Sequence, residues 1–159
     1  MTALPFSLRP ATVDDRQAIA EMWLRSWAST RLALEQDESR PTAQTLRERL
    51  DDEMVSKWCV TVAERGGAIL GFLALDIEAA VLDQLFVAPE HHGQSIGSAL
   101  LTHAIQAMPG GFTLRTAAEN EATGFYDKAG LQRVRMMVHP TTGHRLVQYR
   151  WPGTSPDSA

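Results

Sequence analysis

One short segment constrains this chain more than any other: a β-type run that leads into a glycine-containing loop and then a helix. The run covers residues 80–87 and is closed by Pro89, and the helix pattern covers 95–108. Gly93 lies in the loop and Gly97 at the helix start. The first helical turn has unpaired N–H groups and the positive dipole end, so a phosphate can approach where side chains are small. The segment predicts a pyrophosphate site, although a tight turn without a ligand fits the same glycines.

The rest of the chain alternates β-type runs with helical ones. Two runs flank Gly66-Gly67, which is a hairpin signal, and two more flank residues 140–143 as a closing hairpin. Such an order predicts a mixed α/β sheet with helices packed on it. The predicted strands cover 6–9, 57–64, 68–76, 80–87, 112–117, 131–139 and 144–151, and the predicted helices cover about 12–34, 42–54, 95–108 and 120–128. We expect one domain over 1–151 and a flexible tail over 152–159.

Composition narrows the classes of function. The formal net charge of −4 argues against general nucleic-acid binding. No apolar run approaches the roughly 20 residues of a membrane span, and the N-terminal sequence lacks the pattern of a signal peptide. The single cysteine, Cys59, cannot form an internal disulfide, which fits a reducing compartment. We therefore expect a cytoplasmic protein with neither a membrane nor a nucleic-acid partner.

Two motifs resemble those of the GNAT superfamily of N-acetyltransferases. In that family a strand ends in a hydrophobic-aromatic-Val-x-Pro pattern and a Q/R-x-x-G-x-G/A loop follows. Here Leu85-Phe86-Val87-Ala88-Pro89 and His92-Gly93-Gln94-Ser95-Ile96-Gly97 stand at those places. Further along, the segment 120–131 is similar to the family's N-x-x-A-x-x-F-Y-x-K-x-G-F, one residue short before Phe125. The chain departs from the family at His92, where Gln or Arg is usual, and at Ser95, which replaces the middle glycine.

The resemblance implies a fold, a cosubstrate and a reaction. The fold is a central, mostly antiparallel, twisted sheet of about seven strands with about four helices, in which a splayed strand pair holds acetyl-CoA. The reaction is direct attack of a primary amine on the thioester while both substrates are bound, without a metal. The implied cofactor-binding residues are Leu85, Phe86, Val87, His92, Gly93, Gln94, Ser95, Ile96, Gly97, Ser98, Asn120 and Tyr126.

Two residues are candidates for acid–base roles. By resemblance Tyr126 donates a proton to the departing thiolate, and its alternative is a ring packed against the sheet. Asp83 is the candidate base because a carboxylate among apolar neighbours favours taking up a proton. It shares a strand face with Leu85 and Val87 if no bulge intervenes. Glu64, Glu78 or an ordered water are the alternatives to it.

The acceptor side is less constrained. Trp23 and Trp27 lie one helical turn apart and, by resemblance, form a wall for a cationic amine with the acidic loop 35–38; core packing of both rings is the alternative. The histidines do not cluster with metal-ligand spacing, so no metal site is expected. A small molecule or a peptide remains open as the amine acceptor. A homodimer through the terminal hairpin or the first helix is plausible.

Two other functions compete with acyl transfer. A non-catalytic acyl-CoA-binding or regulatory domain would explain the departures at His92 and Ser95. A Rossmann-type nucleotide binder is disfavoured, because the glycine loop follows three β runs and no G-x-G-x-x-G occurs.

Overall fold

The computed structural model describes residues 6–28, 42–91, 95–118, 122–140 and 143–154. They form seven strands and four α-helices. In chain order these are β1 Ser7–Pro10, α1 Arg16–Ala28, α2 Ala43–Ser56, β2 Trp58–Arg65, β3 Ala68–Asp76, β4 Val81–Val87, α3 Ile96–Ala107, β5 Phe112–Ala117, α4 Ala122–Lys128, β6 Gln132–Val138 and β7 Arg145–Trp151. The strands build one sheet in the order β1-β2-β3-β4-β5-β7-β6. The predicted fold class is confirmed.

Local signals explain most element boundaries. Gly66 and Gly67 have φ of +57° and +86°, the left-handed geometry that a two-residue hairpin turn requires, and β2 and β3 pair on either side of them. Thr42 caps α2, because its side chain accepts from the N–H of Thr45. The helix predicted over 12–34 begins with a short 3₁₀ turn, Val13–Asp15, and its α-helical part reaches Ala28. The rest of that prediction lies outside the described residues.

Two separate apolar clusters lie on opposite faces of the sheet, and the cluster on the α1 side covers only β2, β3 and β4. Alternate residues of β3 divide between them: Leu73 and Leu75 pack with α3 and α4, whereas Phe72 and Ala74 pack with α1 and α2. We refer to these two sides as the α3 face and the α1 face. No helix in the described part of the chain has the length and hydropathy that crossing a membrane requires.

The parallel pair of β4 and β5 is the irregular place in the sheet, since the other neighbouring strands run antiparallel. Among the described residues the two strands share one paired position, Val81 with Thr113, supported by a 3.1 Å bond from the Thr113 N–H to the Ala80 carbonyl. Beyond it they diverge. This is the predicted splayed pair, and a sheet of this kind is not a Rossmann-type parallel sheet.

The chain after β7 packs back against the turn between α3 and β5. The N–H of Thr154 donates to the Pro109 carbonyl at 2.9 Å, and Gly153 lies so close to Gly110 that a Cβ there would be 2.6 Å from its carbonyl carbon. Residues 152–154 are therefore tied to the turn between α3 and β5, and a flexible tail over 152–159 stays a prediction. Residues 155–159 lie outside the described part.

Candidate functional site

Three elements meet where β4 ends and α3 begins. Gly97, in the first turn of α3, lies between Val87 of β4 and Phe125 of α4. A Cβ built on Gly97 would be 3.5 Å from Phe125 Cζ and 3.7 Å from Val87 Cγ2, which is ordinary contact. Packing therefore tolerates a methyl group at residue 97, and glycine there is not explained by crowding within the chain. A ligand that needs the backbone at close range gives a better reason for it.

The first turn of α3 begins in a strained conformation. Ser95 occupies the N-cap position with φ +66° and ψ +11°, and its hydroxyl makes no capping hydrogen bond. A residue with a Cβ pays for this left-handed geometry in free energy, whereas glycine does not. The uncapped turn leaves its amide donors directed to the end of the helix, where they can receive an anion.

Helix α1 is fastened to the end of β4 just before this loop. The buried Ser26 hydroxyl donates to the Val87 carbonyl at 2.9 Å, and Arg25 Nη1 lies 2.5 Å from Glu90 Oε1. A hydrogen bond from its own backbone N–H, and then the Arg25 guanidinium, hold the pKa of Glu90 below its ordinary value. These contacts tie the α1 face of the molecule to the segment that leads into the loop.

Tyr126 lies in the core on the α3 face. Its residue is 5% exposed, and its ring centroid is 5.1 Å from that of Phe125 and 5.5 Å from that of Tyr149. Burial, and then the neighbouring Tyr149, raise the pKa of Tyr126 well above the ordinary value for a phenol. Tyr126 therefore keeps its proton throughout the neutral and mildly alkaline range.

Asp83 is the extra residue of a β-bulge. The register between β3 and β4 passes from Leu75–Leu82 directly to Ala74–Gln84, so Asp83 has no partner on β3. Leu85 and Val87 pack against the α3 face, whereas Asp83 accepts a 2.9 Å bond from Trp58 Nε1 on the α1 face. The expectation that Asp83 shares a face with Leu85 and Val87 is wrong, and the bulge is the reason.

The surroundings of Asp83 are also more polar than expected. Lys57 Nζ lies 3.9 Å from Asp83 Oδ2 and 3.3 Å from Glu53 Oε2, and that Glu53 oxygen is buried and makes no hydrogen bond. The 3.3 Å contact is thus an ion pair without hydrogen-bond geometry. The alternative base Glu64 is bound to Arg9 on the far side of the sheet, away from the gap between β4 and β5.

A family comparison covers the segment from β4 through α4, which holds most of this site. The family model described as an acetyltransferase (GNAT) domain matches residues 56–133, which run from the end of α2 into β6 and include β4, α3, β5 and α4. Residues 56–133 of the chain belong to the GNAT superfamily of N-acetyltransferases.

Individual relatives agree with this assignment. The peptidyl-lysine N-acetyltransferase YjaB of Salmonella typhimurium is 38% identical over 63 residues, which are 40% of this chain and 42% of the relative, so the match spans less than half of that protein. The solution structure of apo YjaB from Escherichia coli is 25% identical with a TM-score of 0.69, covering 94% of this chain and 99% of that one. The PaiA N-acetyltransferase of Thermoplasma acidophilum, solved with coenzyme A, is 19% identical with a TM-score of 0.72, covering 95% and 100%.

The structure brings together part of the predicted GNAT site. Leu85, Val87, Ile96, Gly97 and Tyr126 lie around the junction of β4, α3 and α4 on the α3 face, whereas Phe86 packs on the α1 face. Ser95 and Ser98 are exposed at the start of α3. His92, Gly93, Gln94 and Asn120 lie outside the described residues. Among the described residues, no group of three or more His, Cys, Asp or Glu has a metal-binding arrangement.

The two predicted acceptor-site tryptophans differ. Trp23 is 3% exposed, and its ring lies 5.2–6.1 Å from the rings of Trp58, Phe72 and Phe86. Trp23 is therefore a core residue, as the packing alternative proposes. Its ring packs against the ring of Phe86. Trp27 is half-buried near the end of α1, and a contact with the acceptor stays a prediction for it.

Sequence reasoning missed the network that holds Tyr126 in place. The Tyr149 hydroxyl donates to Asp127 Oδ1 at 2.9 Å, and Arg133 binds both oxygens of Asp127 at 2.9 and 2.6 Å. Arg133 also lies 5.7 Å from the centre of the Tyr149 ring. These contacts fix α4 against β6 and β7. The alternation of β7 predicts a buried Tyr149, but its partners depend on how α4 is docked.

Proposed function

We propose that the chain is an acetyl-CoA-dependent N-acetyltransferase that transfers the acetyl group to a primary amine by direct attack in a ternary complex. One observation carries the proposal: β4 and β5 separate after Val81–Thr113, and the uncapped first turn of α3 lies at the open end of the gap. A strand edge without a ladder partner and a helix N-terminus are what a ligand with amide groups and a pyrophosphate needs.

The residues around the gap fit this cosubstrate. Backbone amides from Gly93 to Ser98 would receive the pyrophosphate, and the edge of Leu85–Val87 would pair with the pantetheine arm as an added strand. Gly97 permits close approach, since only ordinary contacts surround the place of its missing Cβ. A backbone N–H near Phe86 or Val87 polarises the thioester carbonyl.

Tyr126 acts on the leaving group in this proposal. The amine nitrogen forms a bond to the carbonyl carbon, the C–S bond breaks, and the sulfur leaves with the electron pair. The pKa of a phenol lies above that of a thiol, and burial raises the pKa of Tyr126 further, so the Tyr126 hydroxyl acts on the departing sulfur chiefly as a hydrogen-bond donor. The nitrogen gives up one proton and the sulfur takes up one, so the amide and the thiol form with no net change in protons.

Asp83 is proposed to receive that amine proton, directly or through an ordered water. It lies on the α1 face at the β4 bulge, the side of the sheet opposite to α3. Trp58 fixes one carboxylate oxygen at 2.9 Å, so the other remains available to an ammonium group. The carboxylate also attracts an ammonium group by charge, and Lys57, whose Nζ lies 3.9 Å from Asp83 Oδ2, weakens that attraction.

The acceptor class follows from a relative by analogy only. The curated YjaB is named as a peptidyl-lysine N-acetyltransferase. We propose a polypeptide amine as the first acceptor to test, with small amines as the comparison.

The test combines binding with turnover. Calorimetry with acetyl-CoA should give a saturable heat, and a CoA-release assay with a panel of lysine peptides, amino acids and polyamines should give turnover with at least one amine. Heat without release for any amine would favour the second candidate, an acyl-CoA-binding domain without catalysis. The burial of Tyr126 is the observation that favours that candidate. No heat at millimolar acetyl-CoA would contradict both.

We make three further proposals: a single domain over 1–151, a cytoplasmic location and a homodimer. For the homodimer, the supporting observation is the edge strand β6, on which Val134, Met136 and Val138 are 51%, 53% and 65% exposed. Sedimentation of the wild type and of Met136→Glu tests it, since a β6 interface would be lost in that variant.

A further inference from the structure

The half of the sheet formed by β5, β7 and β6 has different partners on its two faces. Phe112 and Leu114 of β5, and Val147 and Tyr149 of β7, are buried on the α3 face. Because side chains alternate along a strand, the residues between them lie on the α1 face. Two of those residues, Arg115 and Arg150, are exposed.

Three arginines converge on this exposed surface. Gln148 of β7 pairs with Arg115 of β5 on one side and with Arg135 of β6 on the other, and Arg135 Nε donates to Gln148 Oε1 at 2.9 Å. Arg150 lies two residues further along β7. From strand geometry, the Cα atoms of Arg115 and Arg135 are about 10 Å apart, with Arg150 displaced by about 7 Å along the strand. We call Arg115, Arg135 and Arg150 the arginine face.

Their charges are not neutralised within the described part of the protein. Arg9, Arg16, Arg25, Arg47 and Arg133 each form an ion pair with a carboxylate, whereas no described carboxylate lies within 4.0 Å of an arginine-face guanidinium. The contrast occurs in a chain whose net charge is −4. Three like charges on one surface repel one another, so an anionic partner would gain their combined attraction.

The arginine face is continuous with the proposed acceptor side. β5 is the far wall of the gap, and Asp83 and Phe86 of β4 lie on the same α1 face across it. A partner on the arginine face therefore reaches the gap from the side opposite to α3. This places positive charge beside the point where the amine must enter.

We infer that the arginine face binds acidic residues of the polypeptide whose amine is acetylated. The inference rests on the proposed function and specifies its acceptor. A single carboxylate does not span Cα positions about 10 Å apart, whereas an extended segment places same-side residues about 7 Å apart and can offer one carboxylate to each arginine. Acidic residues flanking the lysine thus match both the spacing and the sign of the surface.

The experiment measures acetyl transfer to three peptides that share one central lysine and differ in the flanking positions, which are Asp, Asn or Lys. For the wild type we expect kcat/KM to be about tenfold higher for the Asp peptide than for the Lys peptide in low salt, since each exposed charge pair contributes about two- to threefold. The ratio should shrink in 0.5 M salt because of screening. A small amine that carries one carboxylate forms the fourth arm.

Variants locate the effect. Replacing Arg115, Arg135 and Arg150 together by Gln should bring the Asp-to-Lys ratio close to one, mainly by lowering transfer to the Asp peptide. The triple Lys variant should keep most of the preference. Arg65→Gln, which removes an exposed charge at the β2–β3 turn, is the control and should change none of the ratios.

Each outcome decides between the proposals. Transfer to peptides without charge preference, or a preference that survives the triple Gln substitution, would overturn the inference and leave acetyl transfer intact. Arginine-dependent transfer to the small amine alone would overturn the polypeptide part. If no amine is acetylated, the proposed function fails. Calorimetry of the same peptides with the acetyl-CoA-saturated protein then measures the charge preference as the ratio of their dissociation constants.

Discussion

The two halves of the sheet differ in what covers them. β2, β3 and β4 lie between α1 and α2 on one side and α3 on the other; the central residues of β2 and β3 are fully buried, and those of β4 are partly buried. β5, β7 and β6 are buried mainly on the α3 face, and the opposite face exposes arginines. The line between the halves is the gap between β4 and β5. The half that is enclosed on both faces therefore provides a rigid support, and the half with one exposed face is available for recognition.

Core substitutions should separate the halves most strongly. Leu100 of α3 is 0% exposed in the cluster on the α3 face, so Leu100→Ala should lower the free energy of unfolding by about 2–5 kcal/mol. Met136 of β6 is 53% exposed, so Met136→Ala should change the free energy of unfolding by less than about 0.5 kcal/mol. Urea denaturation measures both. Similar losses would show that β6 is covered in solution.

Tyr126 and Tyr149 lie side by side in the site, and substitutions of the two should affect different properties. Tyr126→Phe should lower kcat about 100-fold with little change in acetyl-CoA affinity, because the lost hydroxyl acts on the leaving thiolate. The pKa of Tyr126 is raised by burial. Loss of the Tyr126 proton should therefore cause no decrease in the wild-type rate at any pH up to about 10. Steady-state kinetics against pH measures this.

Tyr149→Phe is the matched control for that variant. It should lower stability by about 1–3 kcal/mol, since the hydroxyl bonds to the charged Asp127, and it should leave the chemical step less affected. Equal kinetic effects of both variants would remove Tyr126 from its role at the leaving thiolate.

Two substitutions at the start of α3 should separate folding from cofactor binding. Gly97→Ala should raise stability by up to about 1 kcal/mol, because alanine favours helix and the site has room, yet it should weaken binding of CoA. Ser95→Gly should raise stability by a similar amount, because glycine adopts this positive φ without strain. It should not weaken the binding of CoA. Thermal denaturation and calorimetry measure both effects. Unchanged CoA affinity in Gly97→Ala would contradict close approach at this turn.

The smallest effect is expected at the link between α1 and the loop. Arg25 and Glu90 are both about half exposed, so Arg25→Gln should cost less than about 1 kcal/mol of stability, and less in high salt. The CoA dissociation constant should change by a few-fold at most. A much larger change would show that α1 positions the cofactor loop directly.

Much of the fold could be predicted because glycine and proline mark its boundaries. The limits of β3 and β5 follow from Gly66-Gly67 and from Pro109-Gly110-Gly111, and the splayed pair follows from the family resemblance. The β4 bulge could not be predicted, since the hydrophobic pattern around Asp83 is compatible with a regular strand and with a bulged one. The error about the face of Asp83 follows from that one inserted position.

The site residues were predictable to the extent that they lie close together in sequence. The β4–α3 segment and Tyr126 belong to local motifs. The arginine face joins one residue from each of β5, β6 and β7, so it exists only once the strand order and register are known. Trp23 shows the reverse case, because an aromatic stripe on a helix has the same sequence pattern in a core as in a binding site.

Amide hydrogen exchange with and without CoA is the most direct test of the cofactor site. The account predicts slower exchange, on CoA addition, at residues 85–87 of β4 and 95–99 at the start of α3, with smaller changes in β6 and on α2. Protection spread evenly over the chain, or confined to a region away from the β4–α3 junction, would contradict it.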